Sequence, residues 1–132
     1  MPGSNDHITD PDGSLRVCSA QLSNVWEDPE KTLEKADGFI AHAANCGAQL
    51  ICFPEQFATG WDPLSGKNVQ DLTGSIITRL QACAKANRIA VIGSLREAAS
   101  QYPKNTAVAI GTNGQIISRL SLIHISEPTR PY

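Results

Sequence analysis

Apolar and polar positions change their period several times along the chain, and each change marks a predicted element. The segment LRVCSAQL, residues 15–22, alternates and is mostly apolar, which predicts a strand. AQLICF, residues 48–53, and RIAVIGSLRE, residues 88–97, predict two more strands. The turn Thr112–Gly114 separates two apolar runs, NTAVAI and QIISRL. Because Asn-Gly favours tight hairpin turns, these runs predict a hairpin of two further strands.

Two stretches between the strands have helical spacing. The first begins at Asp28, a good N-cap residue that is followed by Pro29, and it has Gly47 as a fitting C-cap. The second is predicted from about residue 74 to residue 85. The predicted apolar faces are Leu33, Ala36, Ile40 and Ala43 in the first helix, and Ile76, Ile77, Leu80, Cys83 and Ala84 in the second. Alternating strands and helices predict an α/β layered domain whose first strands are parallel.

Length, charge and hydropathy exclude several classes of protein. The 132 residues suit a single domain, and the formal net charge of −2, with Lys and Arg spread singly, gives no basic patch for nucleic acid or an anionic membrane. No apolar run approaches the ~20 residues that a membrane-spanning helix needs. The start, MPGSNDHITDPDGS, lacks the basic and apolar regions of a secretory signal. We therefore predict a cytoplasmic protein with neither a nucleic-acid partner nor a membrane partner.

The chain has four cysteines, and none of them belongs to a C-x-x-C pair. They are Cys18, Cys46, Cys52 and Cys83, three of which lie in apolar patterns. This usage favours buried, unreactive thiols in a reducing compartment over a disulfide framework or a zinc site. We predict no metal and no cofactor.

A carboxylate stands directly after the second predicted strand. In QLICFPEQFATGW, Pro54 ends the apolar run and Glu55 follows it. Functional groups collect at the carboxyl ends of parallel strands, so Glu55 is a candidate site residue. The alternative is an ordinary solvated loop residue, and position alone does not decide between them.

Four segments together carry a family resemblance. RVCSAQL, AANCGAQLICFPEQFATGW, IAVIGSLRE and KNTAVAIGTNGQIISRL resemble the amino-terminal half of the nitrilase superfamily of carbon–nitrogen hydrolases. FPEQFATGW is the most specific of these elements. The resemblance implies part of an α-β-β-α sandwich and a homo-oligomer. It also implies hydrolysis of small amides, nitriles or carbamoyl compounds by a Glu, a Lys and a nucleophilic Cys.

Three residues of this chain match positions of the family. Glu55 matches the catalytic glutamate, which implies a general base that takes the thiol proton and later activates water. Trp61 stands where it could form an apolar wall of the substrate pocket, with a packing role as the alternative. Asn105 matches a family asparagine and is interpreted as support for the backbone around the site.

The chain also departs from the family pattern. The family's lysine normally follows the hairpin, and Leu122 occupies that position here. Leucine cannot donate a hydrogen bond to a developing oxyanion, which is often the largest contribution to catalysis. The nucleophilic cysteine lies further along in the family, and none of the four cysteines matches it.

The last segment, LSLIHISEPTRPY, fits neither the family nor any regular element, and it resembles a translated sequencing-library adapter. We therefore predict a mobile leader at 1–14, a truncated carbon–nitrogen hydrolase domain at 15–120 and a non-native tail at 121–132.

Two hypotheses about function follow from these departures. In the first, the chain is a fragment of a thiol-dependent carbon–nitrogen hydrolase and is inactive by itself. In the second, it is a non-catalytic binding or regulatory half-domain. A flavodoxin-like domain is a third, disfavoured alternative, because SNVWEDPE after the first strand would present carboxylates, not a glycine-rich loop, to a phosphate.

Overall fold

The computed structural model describes residues 8–122. The predicted tail at 121–132 lies largely outside the described residues, as does the first half of the predicted leader at 1–14. The remainder of that leader contacts the domain, because the Asp10 carboxylate forms an ion pair with Arg16. This part of the leader is therefore bound to the domain surface in the structure.

Residues 8–122 form five strands and two helices in the predicted order. Their bounds are β1 Val17–Ser19, α1 Pro29–Asn45, β2 Leu50–Cys52, α2 Ser75–Asn87, β3 Ala90–Glu97, β4 Lys104–Ile110 and β5 Ile116–Ser121. The first two strands are shorter than the sequence pattern suggests, since an apolar run does not distinguish paired from merely extended residues.

The five strands form one sheet in the order β1-β2-β3-β4-β5. β1, β2 and β3 are parallel, and β3, β4 and β5 pair antiparallel, which confirms both the parallel start and the hairpin. The register aligns Cys18, Ile51, Val91 and Ile110 across four strands. Because the first three strands share a direction, their carboxyl ends open at one edge of the sheet.

Helix α1 begins as the sequence predicts and ends one residue earlier. The Asp28 side chain accepts a hydrogen bond from the Lys31 backbone N–H at 3.2 Å, and Pro29 is the first helical residue. The C-cap is Cys46, and Gly47 follows it with a φ of +87°. Gly47 still allows the chain to turn here, since residues that have a side chain rarely adopt a positive φ.

Both helices pack on one face of the sheet and enclose a single core. Every predicted face residue of the two helices is buried except Cys83, which is half-buried. From the sheet, Ile51, Val91, Leu95 and Val108 join them. This packing confirms the helical spacing, since burial of apolar area is the main stabilising term.

The opposite face of the sheet is covered only at one end within the described residues, where the loop after β2 buries Arg96 and Asn105. Cys52, Ile92, Ala107 and Ala109 alternate with the core positions and are only half-buried. Leu120 on β5 is 62% exposed on the same face. The described fold is therefore one half of a layered sandwich, with an apolar sheet face open.

The cysteines agree only partly with the sequence interpretation. All four are free, but Cys46 is exposed and the other three are half-buried. Cys46 departs from the interpretation as buried thiols because it caps α1 at the surface. Burial raises the pKa of the Cys52 thiol. Burial, and then a hydrogen bond to Asp37, raise the pKa of Cys83 to about 12, so both thiols stay protonated at neutral pH.

Candidate active site

Glu55 lies at the carboxyl edge of the sheet, three residues beyond β2. Its neighbours Phe53 and Phe57 are buried, and their rings stack with centroids 4.6 Å apart. Since Phe53 and Phe57 both turn into the core, the intervening chain holds Glu55 at the surface, where it is exposed. The aromatic pair is therefore the local reason why the strand carries a carboxylate outward.

Asn105 on β4 joins Glu55 to the sheet. Its Nδ2 donates a hydrogen bond to Glu55 Oε1, so the structure brings together two of the three sequence-predicted site residues. Asn105 is 1% exposed, and its Oδ1 has no hydrogen-bond partner among the described residues. Buried acceptors are normally satisfied, so this oxygen can take a further donor.

The chain after β5 passes beside this pair. The backbone N–H of Leu122 donates to the Asn105 carbonyl oxygen at 2.6 Å. The position at which the resemblance expects a lysine is therefore next to Asn105, which holds Glu55.

A short turn follows Glu55 and is tied to β3. The Gln56 N–H donates to Ser94 Oγ at 2.8 Å, and the Gln56 carbonyl accepts from the Gly60 N–H at 2.9 Å. Gln56 has a φ of 49°, an uncommon conformation for a residue with a side chain. The turn therefore depends on contacts that compensate for local backbone strain.

Arg96 at the end of β3 is a site residue that the sequence analysis missed. It is 2% exposed and pairs with Glu27, whose carboxylate lies 2.8 Å from its Nη1. A charged residue in a strand that is predicted to be buried needs a charged partner, and this rule could have singled out Arg96 in the sequence. The partner could not be identified, because Glu27 lies 69 residues earlier in a loop.

Glu27 is ionised in this arrangement. Burial opposes its charge, but hydrogen bonds from Arg96, Asn68 and Ser65 outweigh burial and hold the pKa of Glu27 below its usual value. Asn68 Nδ2 and Ser65 Oγ each lie 3.0 Å from a carboxylate oxygen. The loops after β1 and β2 are thus joined around one buried ion pair.

Trp61, the third predicted site residue, lies on the loop after the turn. It is 46% exposed. The apolar residues Trp26 and Leu64 nearby are also exposed, at 59% and 74%. Trp61 is therefore no core residue, and its role as a pocket wall stays a prediction.

The cavity beside Asn105 is very small. It is lined by Gln56, Arg96, Lys104 and Asn105, among others, and holds about 10 Å³. Such a space admits about one water molecule and no substrate. No hydrogen bond joins any of the four cysteines to Glu55 within residues 8–122. In the same range, no group of three or more His, Cys, Asp or Glu residues is placed to hold a metal ion.

Gly60 is the glycine on which the site loop depends. Its φ is +90°, and a Cβ there would lie 2.3 Å from Trp26 Cε3. We expect Gly60→Ala to lower the free energy of unfolding by about 1–3 kcal/mol. Gly38→Ala in α1 is the control, since its Cβ meets nothing within 4 Å. That change should stabilise by about 0.5–1 kcal/mol. Urea titration followed by circular dichroism compares them, and equal effects would contradict the expectation.

Comparison with known proteins identifies the family. A sequence model described as "Carbon-nitrogen hydrolase" matches residues 16–132. The chain belongs to the carbon–nitrogen hydrolase family. An arylacetonitrilase of Hypocrea virens is 34% identical over 119 residues, which cover 80% of this chain and 36% of that protein. An aliphatic nitrilase of Rhodococcus rhodochrous is 29% identical over 122 residues. That match covers 80% of this chain and 33% of the nitrilase.

Solved structures agree with this membership. A cysteine-to-alanine mutant of the amidase from Nesterenkonia sp. AN1, in complex with butyramide, has a TM-score of 0.71 and 27% identity. The match covers 84% of this chain and 44% of that one. This chain spans about a third of the length of the two nitrilases named above. Within its described residues, no helix combines the length and the apolar character that crossing a bilayer requires.

Proposed function

We propose that Glu55 is the general base of a thiol-dependent carbon–nitrogen hydrolase to which this chain contributes one part. The observation that carries the proposal is the outward carboxylate at the carboxyl edge of the sheet, bonded to the buried Asn105 in a chain of this family. One carboxylate oxygen accepts from Asn105, which leaves the other oxygen of Glu55 available for a proton.

In the proposed reaction, Glu55 takes the proton of a cysteine thiol and the thiolate attacks the carbon of the carbon–nitrogen bond. For an amide, Glu55 returns this proton to the nitrogen, which leaves as ammonia or an amine, and a thioester forms. Glu55 then takes a proton from water, whose oxygen attacks the thioester and releases the acid. A positioned base of this kind typically contributes about 100- to 10,000-fold to the rate.

We further propose that the lysine and the cysteine come from residues outside this chain. Leu122 stands beside Asn105 at the lysine position, and Asn105 Oδ1 is an acceptor without a donor among the described residues. The cavity beside Asn105, with a volume of about 10 Å³, is too small to hold a substrate, which is consistent with a substrate pocket that other residues complete. The chain's span of about a third of its relatives supports the same proposal.

The proposed substrates are small amides, nitriles or carbamoyl compounds. The relatives named above are nitrilases, and the structural neighbour is an amidase in complex with butyramide. Trp61, exposed on the loop after Glu55, is the proposed apolar wall of the substrate pocket. The family membership does not favour a non-catalytic binding module. A cytoplasmic location belongs to this proposal, supported by four cysteines that are free among the described residues.

The test of this function begins with the chain by itself. We expect the 132-residue chain to release no ammonia from a panel of small amides and nitriles, because loss of members of a catalytic unit costs orders of magnitude. Glu55→Ala provides the background rate. Ammonia release above that background would contradict the proposal that the lysine and the cysteine lie elsewhere.

The proposed boundary after residue 120 has its own test. Strand β5 extends to Ser121 and the family match runs to residue 132, so the non-native tail at 121–132 stays a prediction. Sequencing the gene beyond codon 120 tests this boundary. A continuation that encodes a Lys-x-His-Leu segment would support the boundary, and a stop codon after Tyr132 would contradict it.

We also propose that the chain self-associates through the open sheet face. Apolar residues on that face, and the edge of β5 that pairs with no other strand among residues 8–122, favour pairing with a second copy. We expect sedimentation to detect dimers or larger species, and Leu120→Glu to shift them toward monomer. Leu64→Glu is the control, since Leu64 is exposed on a loop instead. A monomeric parent chain would contradict this proposal.

A further inference from the structure

We propose that Arg96 is a positioning residue for Glu55 and acts through the adjacent Gln56. The inference rests on the proposed function, in which Glu55 is the base. Arg96 is not one of the three proposed catalytic residues Glu, Lys and Cys. Its inferred role is to determine the position of the Glu55 carboxylate.

The guanidinium of Arg96 binds the two loops that flank the site. Nη1 donates to both carboxylate oxygens of Glu27, at 2.8 and 3.0 Å, and to the carbonyl oxygen of Lys67 at 2.8 Å. Nη2 donates to the carbonyl oxygen of Gly60 at 2.9 Å, and Nε donates to Gln56 Oε1 at 3.3 Å. One side chain thus fixes the loop after β1 and both ends of the turn after Glu55.

Gln56 is the link between Arg96 and the base. Its backbone N–H, which belongs to the peptide that follows Glu55, donates to Ser94 Oγ at 2.8 Å. Its side chain is 2% exposed and accepts from Arg96, while its φ of 49° is strained. Without Arg96 to hold the side chain, the turn can relax to a commoner conformation and carry the Glu55 carboxylate with it.

The other side of Glu55 is held from the neighbouring strand. Arg96 on β3 and Asn105 on β4 are register partners in the antiparallel pair. Asn105 holds the Glu55 carboxylate and Arg96 holds the residue after it, so two adjacent positions of the sheet define the direction of Glu55. A shift of the turn therefore has to alter the hydrogen bond between Asn105 and Glu55.

The test follows the Asn105 side-chain amide by TROSY-type 1H–15N NMR on the 132-residue chain, a method that tolerates self-association. The Glu55→Ala chain gives the signal position for a lost carboxylate contact. We expect Arg96→Lys and Gln56→Met each to move the Asn105 signal at least halfway toward that position. Lysine keeps the charge but cannot reach all the acceptors of the guanidinium. Gln56→Met keeps the Arg96–Glu27 ion pair, so it remains informative where the arginine variant unfolds.

Arg79→Lys is the control, because Arg79 makes an ion pair of similar length, 2.7 Å, with Asp37 between the helices, although that pair is about one-third exposed. We expect it to leave the Asn105 signal in place. A Gln56→Met chain whose Asn105 signal stays at the parent position would overturn the inference. The readout does not depend on turnover. If Glu55 proves dispensable for activity while the signal still moves, the proposed function fails and the positioning by Arg96 stands.

Discussion

We expect Glu55→Gln to lower kcat about 100- to 10,000-fold in an enzyme that joins this chain to the proposed lysine- and cysteine-bearing part of a carbon–nitrogen hydrolase. The glutamine side chain has the same shape, and its Oε1 can still accept from Asn105 Nδ2, as the carboxylate does. What it cannot do is take a proton from a thiol or from water. The expected defect is therefore in the chemical step, with the fold kept.

Steady-state ammonia release measures the effect, and circular dichroism with a thermal melt verifies that the variant folds. Glu97→Gln is the control, since Glu97 is a carboxylate of the same sheet that also accepts a hydrogen bond from a β4 side chain, Thr106 Oγ1, at 2.7 Å. It should stay within a few-fold of the parent. If Glu55→Gln also stays within a few-fold, Glu55 is a structural residue and its assignment as the base is wrong.

Local patterns predicted the elements of the fold because their causes are local. Asp28 and Pro29 start α1 through contacts within one turn, and the Asn113–Gly114 pair closes the hairpin between adjacent strands. Glu55 became a candidate in the same way, since a carboxylate directly after a strand is visible in consecutive residues, while its proposed role as a base came from the family resemblance. The element order and the parallel start of the sheet follow from these local features.

The sequence could not predict the contacts that hold Glu55, because they join distant segments. Asn105 lies 50 residues from Glu55, and Arg96 lies 69 residues from Glu27. Nothing in a local pattern distinguishes an arginine that points to solvent from one that is buried against a carboxylate.

The Glu27–Arg96 pair is expected to contribute strongly to stability. The two side chains are 12% and 2% exposed. Removal of one partner leaves the other charge buried and unpaired, which typically costs about 3–5 kcal/mol. We therefore expect Arg96→Met and Glu27→Gln each to lower the free energy of unfolding by roughly this amount at pH 7, as measured by urea titration. The double variant should lose clearly less than the sum of the two.

The same pair gives the stability a defined dependence on pH. The pKa of Glu27 is lowered from 4.5 in the folded chain, so the unfolded chain binds the proton more tightly. The stabilisation is therefore fully present above about pH 4.5 and is lost as the pH falls through the lower, folded-state pKa. Glu27→Gln has no carboxylate to protonate, so its unfolding free energy should fall less steeply in this window. Two results would contradict this: equal slopes of unfolding free energy against pH in the parent and Glu27→Gln, and additive losses of unfolding free energy in the double variant. Together they would mean that packing, and not this ion pair, holds the loops around Glu55.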